Sequence, residues 1–300
     1  MRLTIHAGAH KTATTSIQDW LTRTSKPLCE QNVYYIEPRK LNENAVIEGF
    51  HNTCIDNRFL APKKFMKIVS ELGIEQPIRN ILVSHESILS YANMLPREIK
   101  YGFYGSMANS ARCLNTLSNQ FETTVVFYVR RQDHFLASVY LQYIMRGNIC
   151  ISFDQYTKRV SYRNVSWLYL LDTLQSALPD VKICVLPYEN IQRGTENFLT
   201  DFLAACGVDW NERFSSIPLL KSNESISQAS LEQLLTEGQS LKSLERRGLA
   251  NELRKKFPMP QYDKSNVLTD TFSKQVVDYF KDENRELFEK WMPDFIDFCY

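Results

Sequence analysis

The first twenty residues, MRLTIHAGAHKTATTSIQDW, constrain this chain more than any other stretch. Arg2 to Ala7 is short, apolar and β-branched, the pattern of one buried strand. Gly8 breaks it. Lys11-Thr12-Ala13-Thr14-Thr15-Ser16 then leads into Ile17, Trp20 and Leu21 at helical spacing. A helix N-terminus presents unpaired N–H groups and about half a positive charge, so it attracts anions. Lys11 adds a full charge at the same place, and the hydroxyls of Thr12, Thr14, Thr15 and Ser16 add donors. The segment from Gly8 through His10, Lys11, Thr12, Ala13, Thr14 and Thr15 therefore reads as a phosphate cradle. The plainer alternative is a helix start rich in Ser and Thr because these residues cap helices.

The rest of the chain supplies a scaffold for such a loop. Its 300 residues are 44% apolar, enough for a substantial core in one large domain or two small ones. A net charge of +1 gives no strong global field, which speaks against a nucleic-acid scaffold and leaves any polyanion site as a local patch. The seven cysteines (29, 54, 113, 150, 184, 206 and 299) show no CxxC pair and no metal-like spacing, so reduced, mostly buried thiols in a cytoplasm are expected. No signal-like or membrane-length apolar run is present, and a soluble cytoplasmic protein is expected.

Strand patterns at Asn32–Ile36, Arg79–Ser84, Thr123–Val129 and Val181–Leu186 alternate with helical ones at 63–72, 106–120, 132–143, 163–177 and 196–206. A connection is expected near Lys26-Pro27. That alternation predicts an α/β fold with a doubly wound, mostly parallel sheet flanked by helices. Thr123–Val129 is apolar throughout and predicts a strand buried on both faces. Pro38 to Pro62, rich in Asn, reads as a long loop, either a lid or substrate wall or a plain surface insertion. Beyond Ser225 the pattern is wholly helical at 227–244, 246–256 and 270–298. One domain over 1–300 is expected, with an α/β core in 1–210 and a mostly helical C-terminal extension in 211–300.

Two strand ends carry further chemistry. Thr123–Val129 runs into Arg130-Arg131, and Ser138 follows Arg130 by eight residues, one to two turns into the next helix. An arginine fork with a helical hydroxyl makes a second oxyanion site, though paired arginines equally form structural ion pairs. Arg79–Ser84 ends in His85-Glu86, at the sheet edge where open α/β folds place ligands. His6 reads as packing and His134 as a surface residue. Two anion sites at separate strand ends suit a ligand charged at both ends.

The first loop, HxGxxKTxTTSIQ, differs from the nucleoside-triphosphatase pattern, which has four residues between its glycines and a Gly-Lys-Ser/Thr ending. It resembles the 5′-phosphosulfate loop of bacterial-type sulfotransferases that use 3′-phosphoadenosine 5′-phosphosulfate (PAPS). The run Tyr128-Val-Arg-Arg-Gln-Asp-His-Phe-Leu-Ala-Ser138-Val-Tyr140 resembles the 3′-phosphate motif of the same family, with Arg131-Gln132 where many members have Asn-Pro. Tyr188-Glu189-Asn190 and Lys221-Ser222-Asn223-Glu224-Ser225 resemble lesser family elements, the latter a basic segment closing near the nucleotide. The resemblance implies a P-loop-like fold, an enzyme that moves a sulfuryl group from PAPS to a hydroxyl or amine, release of adenosine 3′,5′-bisphosphate, and no metal. It implies donor contacts from the loop, Arg130, Ser138 and Lys221, charge neutralisation by Lys11, and a general base at Glu86 or His85, with His10 on the acceptor side. A carbohydrate or glycolipid acceptor is expected. The competing readings are a P-loop kinase or nucleotide hydrolase using ATP and Mg²⁺, and a non-catalytic nucleotide-binding module.

Overall fold

Five short runs of apolar, largely β-branched residues pair into one parallel sheet: β1 (Arg2–His6), β2 (Val33–Ile36), β3 (Asn80–Ser84), β4 (Glu122–Val129) and β5 (Lys182–Pro187). The computed structural model describes residues 1–51, 60–72, 78–90, 103–220 and 225–300. Spatial order is β2-β3-β1-β4-β5. Ile5 stands level with Val83 of β3 and Val125 of β4. The chain winds to one side of β1 through β2 and β3, then to the other through β4 and β5. Its winding reverses at β1, and such a reversal opens a crevice at the C-terminal strand ends.

Both faces of the sheet are covered, which is why the strands read as continuous apolar runs. On one face, α1 (Thr14–Arg23) sets Ile17, Trp20 and Leu21 against Leu82, Val126 and Tyr128. The short α2 (Ser25–Glu30) follows directly, so the connection expected near Pro27 is helical. On the other face, Leu3, Ile5, Val83 and Phe127 meet the following helices. The region expected to be a loop from Pro38 is instead helical where described, as α3 (Pro38–Glu43) and α4 (Val46–His51); residues 52–59 lie outside the described residues. Pro38 takes a position where a missing N–H costs nothing, and Leu41, Val46, Ile47 and Phe50 are buried at helical spacing. The abundant asparagines hid that stripe.

The remaining helices are α5 (Leu60–Ser70), α6 (Met107–Ser118), α7 (Gln132–Met145), α8 (Phe153–Thr157), α9 (Trp167–Ala177) and α10 (Thr195–Ala205). Gly207, at φ 70, stops α10 with a left-handed residue as its position predicts. Next come α11 (Glu212–Ser215), α12 (Gln228–Glu237), α13 (Ser243–Lys256) and α14 (Asp270–Trp291). The last packs on α7 and α9, and its Val276, Phe280, Leu287 and Phe288 join the core that covers the sheet. Among the described residues, no helix is long and apolar enough to cross a membrane. Cys113 and Cys206 are buried and Cys29 is exposed; all described cysteines are free thiols.

Candidate functional site

After His6 the chain leaves β1 but stays bonded to β4, with Ala7 N–H donating to Val126 O (3.0 Å) and Ala9 N–H to Tyr128 O (3.1 Å). Gly8 has φ 33, and a Cβ there would stand 2.9 Å from His6 Nε2 and 3.1 Å from Thr14 Oγ1. Lys11 and Ala13 are left-handed at φ 69 and φ 62, and Thr12 between them is not. This alternation turns successive N–H groups to one side, a concavity that binds anions. The left-handed conformation costs about 1–2 kcal/mol per non-glycine residue, and such strain gathers at ligand clamps. Thr12 locks the loop, its buried hydroxyl donating to Ala9 O at 2.5 Å. Helix α1 begins without a side-chain cap, Thr14 Oγ1 is buried without a partner, and Thr15 is exposed.

The paired arginines at the end of β4 divide their work. Arg131 forms a bidentate pair with buried Asp133 (2.7 and 2.8 Å) and reaches His134 Nε2 at 2.9 Å. His134 is thus a half-buried partner of that pair rather than a surface residue. Arg130 turns the other way. Its Nη1 donates to Lys11 O at 2.7 Å, its guanidinium lies 4.8 Å from the centre of the Tyr188 ring, and its buried Nε has no partner. Burial depresses the guanidinium pKa, opposed by Tyr188, Glu189, Asp133 and Tyr300. The turn is held from two later elements, Trp167 Nε1 donating to Arg130 O (2.7 Å) and Glu189 Oε1 accepting from Arg131 N–H (2.9 Å). Ser138 lies half-buried on α7, and Lys221 lies outside the described residues.

A third polar group comes from the end of β3. Glu86 Oε2 accepts from Gln18 Nε2 at 3.3 Å, and the same amide nitrogen donates to Ser84 O at 3.1 Å. Burial works to raise the Glu86 carboxyl, but its own backbone N–H, His85, His10 and Gln18 together hold it below the usual carboxylate value. Three histidines, His6, His10 and His85, feel its charge, and His51 lies beside His85. Burial pushes His6 and His10 down to about 4 against the pull of Glu86, with His85, Lys11 and Arg146 adding to the fall at His10. His85 Nδ1 accepts from Ser87 N–H (3.1 Å), so its neutral ring carries the proton on Nε2. His6 is fully buried, Nδ1 against Ser84 Oγ at 2.8 Å, in the packing role expected of it. Lys11 is lowered to about 8 by burial first, then by Arg130 and Arg146, with Glu86 opposing.

The structure therefore brings together the Gly8–Thr14 loop, Arg130, His85 and Glu86. Spacing did not single out Gln18, Arg146, Trp167 or His51. Gln18 was findable, standing one helical turn after Thr14; the others are placed only by the fold. Unpartnered Thr14 Oγ1 and Arg130 Nε, with the nest between them, fit a ligand bearing oxyanions at two ends. A cavity of about 460 Å³ lined by Ser227, Arg254, Phe257 and Met259, among others, contains none of these residues. Among the described residues, no group of three or more His, Cys, Asp or Glu is arranged to hold a metal ion.

No family model and no curated protein matches the sequence. Solved structures do match. A sulfotransferase from Alicyclobacillus acidocaldarius is 15% identical over 84% of this chain and 95% of that one, with a TM-score of 0.45. Retinol dehydratase in complex with androsterone and the inactive cofactor PAP is 12% identical over 98% of this chain and 81% of that one, with a TM-score of 0.34.

Proposed function

We propose that this chain is a PAPS-dependent sulfotransferase, with residues 1–300 working as one unit. The observation that carries the reading is the meeting of two oxyanion sites at the point where the winding of the sheet reverses, joined by the Arg130–Lys11 hydrogen bond. The nest at Lys11–Ala13 and the hydroxyl of Thr14 would hold the 5′-phosphosulfate end, and Arg130 with Ser138 the 3′-phosphate. Lys221 is proposed as a further donor contact on the strength of its motif alone.

Bound there, PAPS supplies an activated sulfuryl group for in-line transfer, a reaction governed by positioning and electrostatics, as in phosphoryl transfer. Lys11 and the loop N–H groups neutralise charge on the oxygen that leaves with adenosine 3′,5′-bisphosphate. Glu86 is the general base. It is ionised at neutral pH, whereas neutral His85 already carries a proton on Nε2 and serves as a donor. The acceptor hydroxyl proton passes to the Glu86 carboxylate as its oxygen bonds to sulfur. An acceptor bearing several hydroxyls, such as a carbohydrate or glycolipid, suits the donors His10 and His85 at this end.

Thermal stabilisation by adenosine 3′,5′-bisphosphate against ADP, on wild type and Arg130→Ala, tests the reading. A ligand at 100 times its dissociation constant adds about 2.7 kcal/mol. The 3′,5′-bisphosphate is expected to stabilise wild type strongly and ADP weakly, with the difference lost in Arg130→Ala. Equal or greater stabilisation by ADP with Mg²⁺ would overturn it in favour of a kinase. Nucleotide binding without turnover across a hydroxyl acceptor panel would leave a non-catalytic module.

A further inference from the structure

The turn from Arg130 to Gln132 is held partly by a helix that begins far along the chain. Gln132 and Asn284 of α14 form a fully buried, reciprocal amide pair: Gln132 Nε2 donates to Asn284 Oδ1 (2.7 Å) and Asn284 Nδ2 to Gln132 Oε1 (3.2 Å). The second Asn284 proton has its own use, since Nδ2 also donates to Tyr300 O at 3.1 Å. Tyr300 is thereby drawn back against α14, its ring 5.6 Å from that of Phe288. Its hydroxyl is buried and has no hydrogen-bond partner, as are Arg130 Nε and Glu189 Oε2. Burial lowers the Arg130 guanidinium, and the Glu189 carboxylate works against that fall.

Glu189 is fixed on the opposite side by Arg131 N–H. The guanidinium of Arg130 is bounded by the Tyr188 ring and the Lys11 carbonyl. Tyr188 and Glu189 come from the end of β5, whereas Asn284 and Tyr300 come from the helical part. A buried amide pair left half-satisfied is costly, so the Gln132 side chain and the first turn of α7 have one favoured placement. Arg130 is two residues from that anchor.

We propose that Asn284 is a positioning residue for Arg130, so that α14 sets how tightly the site discriminates a nucleotide bearing a 3′-phosphate. The inference rests on the reading of Arg130 as the 3′-phosphate ligand. Asn284 does not touch the nucleotide; it acts through Gln132.

The experiment measures dissociation constants of adenosine 3′,5′-bisphosphate and adenosine 5′-phosphate for the full chain. The variants are Arg130→Ala, Asn284→Ala, Asn284→Leu and the double exchange Gln132→Asn/Asn284→Gln. Arg130→Ala is expected to erase the preference for the 3′,5′-bisphosphate. Asn284→Ala and Asn284→Leu are expected to weaken that ligand about tenfold while leaving adenosine 5′-phosphate within twofold. The double exchange, which keeps an amide pair of the same total length, is expected to recover most of the loss. If Arg130→Ala keeps the preference, the assignment of Arg130 fails. If Arg130→Ala loses it but Asn284→Leu binds both nucleotides as wild type does, the positioning role fails. Asn284→Leu keeps the side-chain volume while removing the hydrogen bonds, and decides the matter if Asn284→Ala does not fold. Equal weakening of both nucleotides marks a merely structural role and also overturns the proposal.

Discussion

At the scale of single residues, environment separates groups that sequence leaves equivalent. His85 and Glu86 are neighbours at the end of one strand, and either could serve as a base. The backbone N–H of Ser87 occupies His85 Nδ1, whereas Glu86 is held ionised among histidines and the Gln18 amide. Glu86→Gln is therefore expected to lower turnover by about 10²–10⁴-fold, the usual contribution of a general base. His85→Gln should cost less than Glu86→Gln. Release of adenosine 3′,5′-bisphosphate from PAPS, with an acceptor that wild type sulfates, gives the measurement. Unchanged stabilisation by the bisphosphate in both variants would show the donor site intact. The adjacent arginines divide in the same way. Arg131 goes to a buried carboxylate, and Arg130, with an unpartnered Nε, to the crevice.

At the scale of elements, the turn between β4 and α7 is held by three side chains from other parts of the chain. Trp167 caps the Arg130 carbonyl from the start of α9, Glu189 takes the Arg131 N–H, and Asn284 takes the Gln132 side chain. Trp167 is 2% exposed and packs edge-on against Phe135 at 4.9 Å. Trp167→Phe keeps a ring there but removes the donor and some volume. It is expected to destabilise the fold by roughly 2–3 kcal/mol, read from urea unfolding, and to weaken 3′,5′-bisphosphate binding. The Asn-rich stretch from Pro38 carries the opposite lesson. Its residues look like loop formers, yet Leu41, Val46, Ile47 and Phe50 find a core to cover, and the segment folds as α3 and α4. Tertiary burial outweighs modest helix propensity there.

At the scale of the whole molecule, the buried histidines make acid stability a property of the site. His6 lies at about 4 when folded against 6.5 when exposed, so between those values the unfolded chain binds more protons. Stability is fully present above about pH 6.5 and falls as pH drops toward 4, by roughly 3 kcal/mol for His6 alone. Melts from pH 7 to 4.5 should show a falling Tm, and His6→Gln should flatten that slope. A slope unchanged in the variant would remove His6 as its cause.

The strand–loop–helix at the N-terminus, the five strands of the sheet, the stop at Gly207 and the three strand ends that carry polar groups are all legible along the chain. Each depends on hydrophobic period and residue chemistry within one element, and those are written locally. Which of these ends meet is set by long-range packing. Lys11 and Arg130 are 119 residues apart, and Gln132 and Asn284 are 152 apart. Their contacts follow from the strand order and from the packing of α14 on α7, which no local pattern encodes. The same holds for the lowered Lys11, the ionised Glu86 and the separate fates of Arg130 and Arg131. Burial and distant charges set them, and both exist only once the chain has closed around its sheet.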